Sequence, residues 1–212
     1  MTISIALDCE TTGLNPYCSE VIEAFFYIDE SNSFHLKCKP LEWSDEAAII
    51  HKIPYSVAMS YPEKKDAFRD LLKWLPKDFR FLSWVNKNTV LGHINFDLAI
   101  IVNELNLLGC KNYYLENEYN MKPAISVLDL AKKAAFNRLF TPIFGKDAYR
   151  LGITDRIESK TSNRQSFSQG SVYYALFGEL PPNAHDAKDD VLAMVKIYNK
   201  LVSSKDENQL LI

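Results

Sequence analysis

The sequence predicts an α/β fold, a mixed sheet flanked by helices, on three observations. Residues 3–38 hold three apolar or β-branched runs joined by short links, the pattern of an antiparallel meander. Beyond residue 62, helix-period segments alternate with short strand-like ones, as in sheets that carry parallel strands between helices. Two acids, Asp8 and Glu10, close the first run, where α/β folds place their sites.

Ile3, Ile5 and Leu7 mark the first strand as buried, and side chains two apart share a face, so Asp8 and Glu10 point the same way. Neighbouring carboxylates repel and are costly to bury unless a cation lies between them. The plainer alternative is an edge strand whose acids face water. Thr11-Thr12-Gly13 ends the strand, with glycine expected to supply a backbone conformation that other residues avoid. Val21 to Ile28 is the second strand, Asp29 to Ser33 the link, and Phe34 to Cys38 the third strand.

Residues 44–60 contain short helical pieces around Ala47 to His51. Pro62 and Glu63 open a helix with Phe68, Leu71, Leu72 and Leu75 apolar, stopped by Pro76. Phe79 to Val85 reads as helical, with a strand as the open alternative, and Thr89 to His93 as a short buried strand. Phe96 to Leu108 is a helix with Leu98, Ile101, Leu105 and Leu108 on one face and Gly109 as its cap. Ala124 to Leu128 reads as a strand leading into a helix from Asp129 to about Asn137. A helix from Val172 to Phe177 ends at Gly178, Pro181-Pro182 is a rigid link, and the last helix runs from about Asp186 to Val202. Its inward side carries Val191, Met194, Val195, Tyr198 and Leu201. The whole, residues 1–212, is expected to be one domain with an irregular basic insertion at about 137–166 and a short flexible tail at about 203–212.

Composition narrows the classes. The chain is 47% hydrophobic and 24% charged, ordinary for a globular protein, and lacks the run of about 18 apolar residues a membrane span needs. A strand begins almost at the N-terminus, which leaves no room for a signal peptide and predicts a cytoplasmic protein. Cys9, Cys18, Cys38 and Cys110 show neither CxxC pairing nor zinc spacing and are expected as reduced thiols. Net charge is −3, without a global basic signature. Its distribution is uneven: residues 1–60 carry −6, whereas residues 131–166 carry +5. An acidic centre able to hold metal and a basic segment able to hold phosphate fit a nuclease, although a solvated loop would also be basic.

Further carboxylates could return to the first pair. Asp97 stands near a helix start, where an acid also compensates the helix dipole. The stretch His185-Asp186-Ala187-Lys188-Asp189-Asp190 opens the last helix, with Asp186 the simplest N-cap. On a regular helix Asp189 shares the face of His185. With His185 in the preceding loop, Asp190 can point into a site that His185 reaches over. Spacing alone leaves both open.

These runs resemble the motifs of the DEDDh family of 3′–5′ exonucleases, proteins of ribonuclease H-like fold that include proofreading exonucleases, ribonuclease T and oligoribonuclease. The family's DxETTGL run is similar to Asp8-Cys9-Glu10-Thr11-Thr12-Gly13-Leu14, and its GHN-type run ending in FD to Gly92-His93-Ile94-Asn95-Phe96-Asp97. Its histidine five residues before an aspartate resembles His185 and Asp190, which selects Asp190 over Asp189. Ile50-His51-Lys52-Ile53 resembles the family's VHGI-like segment. The second motif is one residue shorter than usual, and residues 137–166 are longer and more basic than in compact members.

The resemblance implies two divalent ions, Mg²⁺ or Mn²⁺, held by Asp8, Glu10, Asp97 and Asp190, with Asp8 between them. Oxygen ligands suit such hard cations, and four carboxylates balance two +2 ions. It implies His185 as general base, since an ordinary imidazole can take a proton at neutral pH. It also implies Thr11, Thr12, Leu14, His51 and Phe96 as contacts to the terminal nucleotide. Without the resemblance, Leu14 and Phe96 would read as core, and His51 as a surface or satisfied histidine. The activity implied is release of nucleoside 5′-monophosphates from the 3′ end of single-stranded nucleic acid, DNA favoured over RNA. RNA trimming or short-oligonucleotide hydrolysis, and a catalytically silent scaffold for nucleic acid or a polymerase, are the alternatives. The tail Gln209-Leu210-Leu211-Ile212 faintly resembles peptides that dock on sliding clamps, with a frayed terminus as the competing account.

Overall fold

The computed structural model describes residues 3–15, 17–84, 96–110, 125–154 and 156–203. The expected strand at Thr89 to His93 and the clamp-like tail lie outside these residues. Three antiparallel strands form the meander: β1 (Ile3–Thr11), β2 (Val21–Asp29) and β3 (Asn32–Lys37). Two parallel strands, β4 (Phe79–Ser83) and β5 (Ile125–Ser126), extend the sheet beyond β1, giving the order β3-β2-β1-β4-β5.

The connecting helices follow local signals. In α1 (Asp45–His51) the Ser44 hydroxyl accepts from the Ala47 N–H, and a one-turn α2 (Tyr55–Ala58) follows. Helix α3 (Lys64–Trp74) fits between Pro62 and Pro76. Helix α4 (Phe96–Leu107) ends where Gly109 takes a left-handed φ of 68°. Helices α5 (Val127–Phe136), α6 (Gly145–Arg150), α7 (Gln169–Phe177) and α8 (Ala187–Ser203) complete the described set.

Two expectations are corrected. Phe79 to Ser83 is a strand, not a helix: a run this short cannot repay helix nucleation, and it pairs in register with β1 from Ile3↔Phe79 to Ala6↔Leu82. Its other four residues are buried and Arg80 alone is exposed, because helices cover both faces and the period-2 pattern is masked. Farther on, the Ser126 hydroxyl accepts from the Asp129 N–H at 3.0 Å, so α5 starts at Val127 and only two residues remain for β5. The 137–166 segment contains α6, a short 3₁₀ turn at Ile157–Ser159 and a strand-like bridge between Phe144 and Gln165.

Each face of the sheet has its own core. Ile5, Leu7, Phe26, Phe81, Phe68, Leu71, Ile100 and Ile101 pack between the sheet, α3 and α4. Ala6, Phe25, Leu82, Val127, Val172, Val191, Met194 and Ile197 fill the space beneath α5, α7 and α8. Val195 and Tyr198 pack partly buried against this second cluster. The odd/even alternation of β1 is therefore split between two layers, which puts Asp8 and Glu10 on the α8 side. Cys9, Cys18, Cys38 and Cys110 are free thiols. No described helix is long and apolar enough to cross a membrane.

Candidate active site

Strand β1 carries Asp8 and Glu10 to the rim of the sheet, where a register shift between Glu10 and Thr11 bends it away. The turn that follows is closed by its own side chains. Thr12 N–H donates to the Glu20 carbonyl and Glu20 N–H to the Thr12 hydroxyl, both at 2.9 Å. Gly13 is not at a left-handed φ, against expectation; space is what it supplies, since a Cβ there would stand 2.8 Å from the Ser19 hydroxyl. Glu20 shares the Lys64 ammonium with the buried Glu104, which also accepts the Val21 N–H at 3.1 Å. That network fixes the turn to α3 and α4.

Helix α8 brings the third acid. Asp186 caps it, accepting from the N–H groups of Lys188 and Asp189. His185 sits just ahead in the loop, in a left-handed conformation with φ 69°. Its backbone N–H donates to Asp190 Oδ2 at 2.9 Å, and Gln169 Nε2 donates to the Asp190 carbonyl at 2.7 Å. Carboxylate oxygens of Asp8, Glu10 and Asp190 lie within 4.8 Å of one another. Asp189 turns outward to Asn183 Nδ2 at 2.7 Å. Asp190 thus joins the first pair, and the alternative spacing leads away from it.

Asp97 arrives from the opposite layer, at the start of α4, and accepts the Cys9 N–H. It stands close enough to Asp8 and Glu10 for its charge to act on both. Burial, followed by the charges of Asp97, Asp190 and Glu10, pushes Asp8 well above the usual carboxylate range. Burial, then Asp190 and Asp97, raises Glu10 to about 9. Burial lifts Asp97 to about 7, although backbone N–H groups oppose it. Asp190 is also raised by burial, against the His185 N–H. Asp8, Glu10 and Asp190, held where negative charge is expensive, form an oxygen-only donor set, and Asp97 stands near it but outside the 4.8 Å group. Hard divalent cations bind oxygen at about 2.0–2.6 Å, so oxygens spaced like these three can share one ion.

The expected nucleotide contacts take varied positions. Thr11 Oγ1 donates to the Gly13 carbonyl at 2.7 Å, so both threonines shape the turn. Leu14 is 87% exposed beside them, which overturns core packing for it. Phe96 is partly buried against the first core. His51 is not on the surface, and among the described residues only one of its ring nitrogens has a partner. It is 5% exposed, and its Nδ1 accepts the Ile53 N–H at 3.0 Å. The ring proton is thereby assigned to Nε2, which has no partner among the described residues.

Sequence reasoning missed a neighbouring cluster. Glu23, directly opposite Glu10 on β2, accepts from Tyr61 Oη, His35 Nε2 at 2.8 Å and Lys37 Nζ at 3.1 Å. A lone acid inside Val21 to Ile28 was the available signal. Gln169 carried none, because only tertiary contact brings it to Asp190.

No protein-family model matches the chain. A 39-residue segment, 18% of this chain, is 46% identical to three-prime repair exonuclease 1 of Bos taurus and covers 12% of that protein. E. coli exonuclease I, solved with a dT13 oligonucleotide, superposes with TM-score 0.69 at 19% identity over 97% of this chain and 42% of its own. Exonuclease I of Methylocaldum szegediense gives TM-score 0.69 at 17% identity, covering 98% and 42% of the two chains. Cell-death related nuclease 4 gives 0.63 at 17% identity, covering 97% of this chain and 65% of that one. This chain therefore spans less than half of either exonuclease I. At these identities the likeness shows a shared fold, the ribonuclease H-like mixed sheet flanked by helices.

Proposed function

We propose that the chain is a divalent-metal-dependent 3′–5′ exonuclease that shortens single-stranded nucleic acid from its 3′ end, DNA in preference to RNA. One observation carries it: Asp8, Glu10 and Asp190, from two distant parts of the chain, present oxygens within 4.8 Å of one another, with Asp97 alongside and His185 in the adjoining loop. The 39-residue match to a 3′ repair exonuclease and the fold shared with nucleases support this, and exonuclease I crystallised with dT13 supports DNA.

In this proposal Asp8, Glu10 and Asp190 would hold one Mg²⁺ or Mn²⁺, and Asp97 with Asp8 would hold a second. When bound, the ions supply Lewis-acid polarisation of the phosphoryl group and neutralise charge on the attacking and leaving oxygens. The protein does the remainder. His185, on an exposed loop, takes the proton of the attacking water, and its backbone N–H keeps Asp190 turned inward. Leu14 offers a face for the last base to stack on, and the Nε2–H of His51, which has no partner among the described residues, would donate to the terminal nucleotide once the atoms covering it give way. Displacement at phosphorus then yields a nucleoside 5′-monophosphate and a strand one nucleotide shorter.

The test is a purified-protein assay on 3′- and 5′-labelled DNA and RNA oligonucleotides with Mg²⁺, Mn²⁺ or EDTA. Shortening from the 3′ end only, faster on DNA and abolished by EDTA, is expected. Activity from the 5′ end, or activity that survives EDTA, overturns the proposal.

A further inference from the structure

Beyond the acid cluster, the 137–166 segment forms a second surface of distinct chemistry. Its two limbs are tied together: Gly145 N–H donates to the Arg164 carbonyl and Lys146 N–H to the Ser162 carbonyl, each at 2.9 Å, and Ser166 N–H to the Ile143 carbonyl at 2.8 Å. Glu158, Ser159, Ser162, Asn163 and Arg164 line an open depression of about 650 Å³. Arg156, Lys160 and Arg164 are exposed around it, and none forms an ion pair among the described residues. Two apolar groups are interleaved with these cations: Ile157, 80% exposed, and Phe144, whose ring lies 5.8 Å from Lys146 Nζ.

The position of this surface follows from its anchor. Ser166 Oγ bonds Ser171 Oγ at 2.7 Å at the start of α7, and Gln169 in the same turn reaches the Asp190 carbonyl. Arg164 and Gln169 are five positions apart, so their Cα atoms lie at most about 18 Å from each other. At no less than ~3.4 Å per nucleotide, that bound puts the arm within about five nucleotides of the turn that touches Asp190.

We infer that Arg156, Lys160 and Arg164 form a phosphate-binding ledge that grips the substrate strand within about five nucleotides of its 3′ end, with Phe144 and Ile157 against its bases. The inference rests on the proposed nuclease reading and adds a length requirement to it. Exposed cations interleaved with apolar side chains fit a flexible polyanion with stackable faces. The continuity of the arm with the turn that holds Asp190 favours the substrate strand over a separate acidic partner.

The test uses the full chain with EDTA, so that nothing is cleaved, and 5′-fluorescein dT3 and dT12 as probes over a salt series. The wild type should bind dT12 more tightly than dT3. Arg156→Gln/Lys160→Gln/Arg164→Gln should weaken dT12 at least tenfold at 0.1 M salt and flatten the log–log salt slope by about 2, at ~0.7 per lost contact. The loss for dT3 should be smaller. Equal affinity for both lengths in the wild type, or an unaltered dT12 slope in the variant, overturns the ledge. So does a variant that keeps dT12 but loses an Asp/Glu-rich decapeptide that the wild type binds. The two readings fail separately: a protein that grips dT12 through the arm yet cleaves nothing with Mg²⁺ refutes the nuclease alone, and an active nuclease with arm-independent binding refutes the ledge alone.

Discussion

Glu10 on β1 and Glu23 on β2 face each other across the antiparallel ladder, and their surroundings drive them in opposite directions. Burial together with Asp190 and Asp97 raises Glu10 to about 9. Burial also raises Glu23, but hydrogen bonds from His35, Tyr61 and Lys37 outweigh it and hold the group down to about 2. Glu23 has hydrogen-bonding protein partners, whereas the charges that act on Glu10 among the described residues are all acids, a setting that favours a bound cation.

Metal should therefore stabilise the fold in a pH-dependent way. Acids whose folded pKa is raised favour folding when protonated, so the metal-free protein loses their contribution as pH climbs from the unfolded values near ~4 through about 7 for Asp97 to about 9 for Glu10. Thermal melting in EDTA should show a lower Tm at pH 8 than at pH 5.5. At a hundred times its Kd, Mg²⁺ should raise the pH 8 value by roughly 5–10 °C. Glu10→Gln should melt higher than the wild type in EDTA at pH 8 and respond less to Mg²⁺. A Tm indifferent to both metal and Glu10→Gln would contradict the electrostatic account.

Glu23 obeys the opposite sign. Its folded pKa lies below the unfolded value, so its contribution is complete above about 4.5 and fades as pH falls toward about 2. Glu23→Gln should lower Tm by several degrees at pH 7, at roughly 2–4 °C per kcal/mol lost. The gap to wild type should narrow below pH 4. A gap that is constant with pH would show that the charge on Glu23 is not what matters.

Asp190 and Asp189 are adjacent yet face different surroundings, one among the acids and one on Asn183. Asp190→Ala should cost on the order of 10³-fold in 3′-end hydrolysis, equivalent to several kcal/mol of transition-state charge stabilisation. Asp189→Ala should cost little. The reverse ranking, read from initial rates on a labelled oligonucleotide, would move the site away from Asp190.

His185→Ala tests the base. General-base catalysis contributes about 10²–10⁴-fold, and kcat should fall by that amount. The backbone N–H that orients Asp190 survives the substitution, so the Mg²⁺-induced rise in Tm should persist. Unchanged kcat would remove the imidazole from the reaction.

Local chemistry was enough to read the meander, the proline-bounded α3, the Gly109 and Gly178 stops and the Asp186 cap, because each depends on residues a few positions apart. The four acids and His185 proposed for the site were legible only as a pattern, since their spacing repeats a known set of motifs, and the structure brings Asp8, Glu10 and Asp190 together. Pairing decided the rest. Phe79 to Ser83 became a strand because β1 lies beside it, and both of its faces are covered. Asp190 was separated from Asp189 geometrically only when the loop ahead of α8 turned left-handed at His185. The Glu23 cluster and the bond from Gln169 to Asp190 join residues 12 to 38 and 21 positions apart, respectively. Such contacts arise from the register of strands and the packing of helices, properties no single stretch of chain carries by itself.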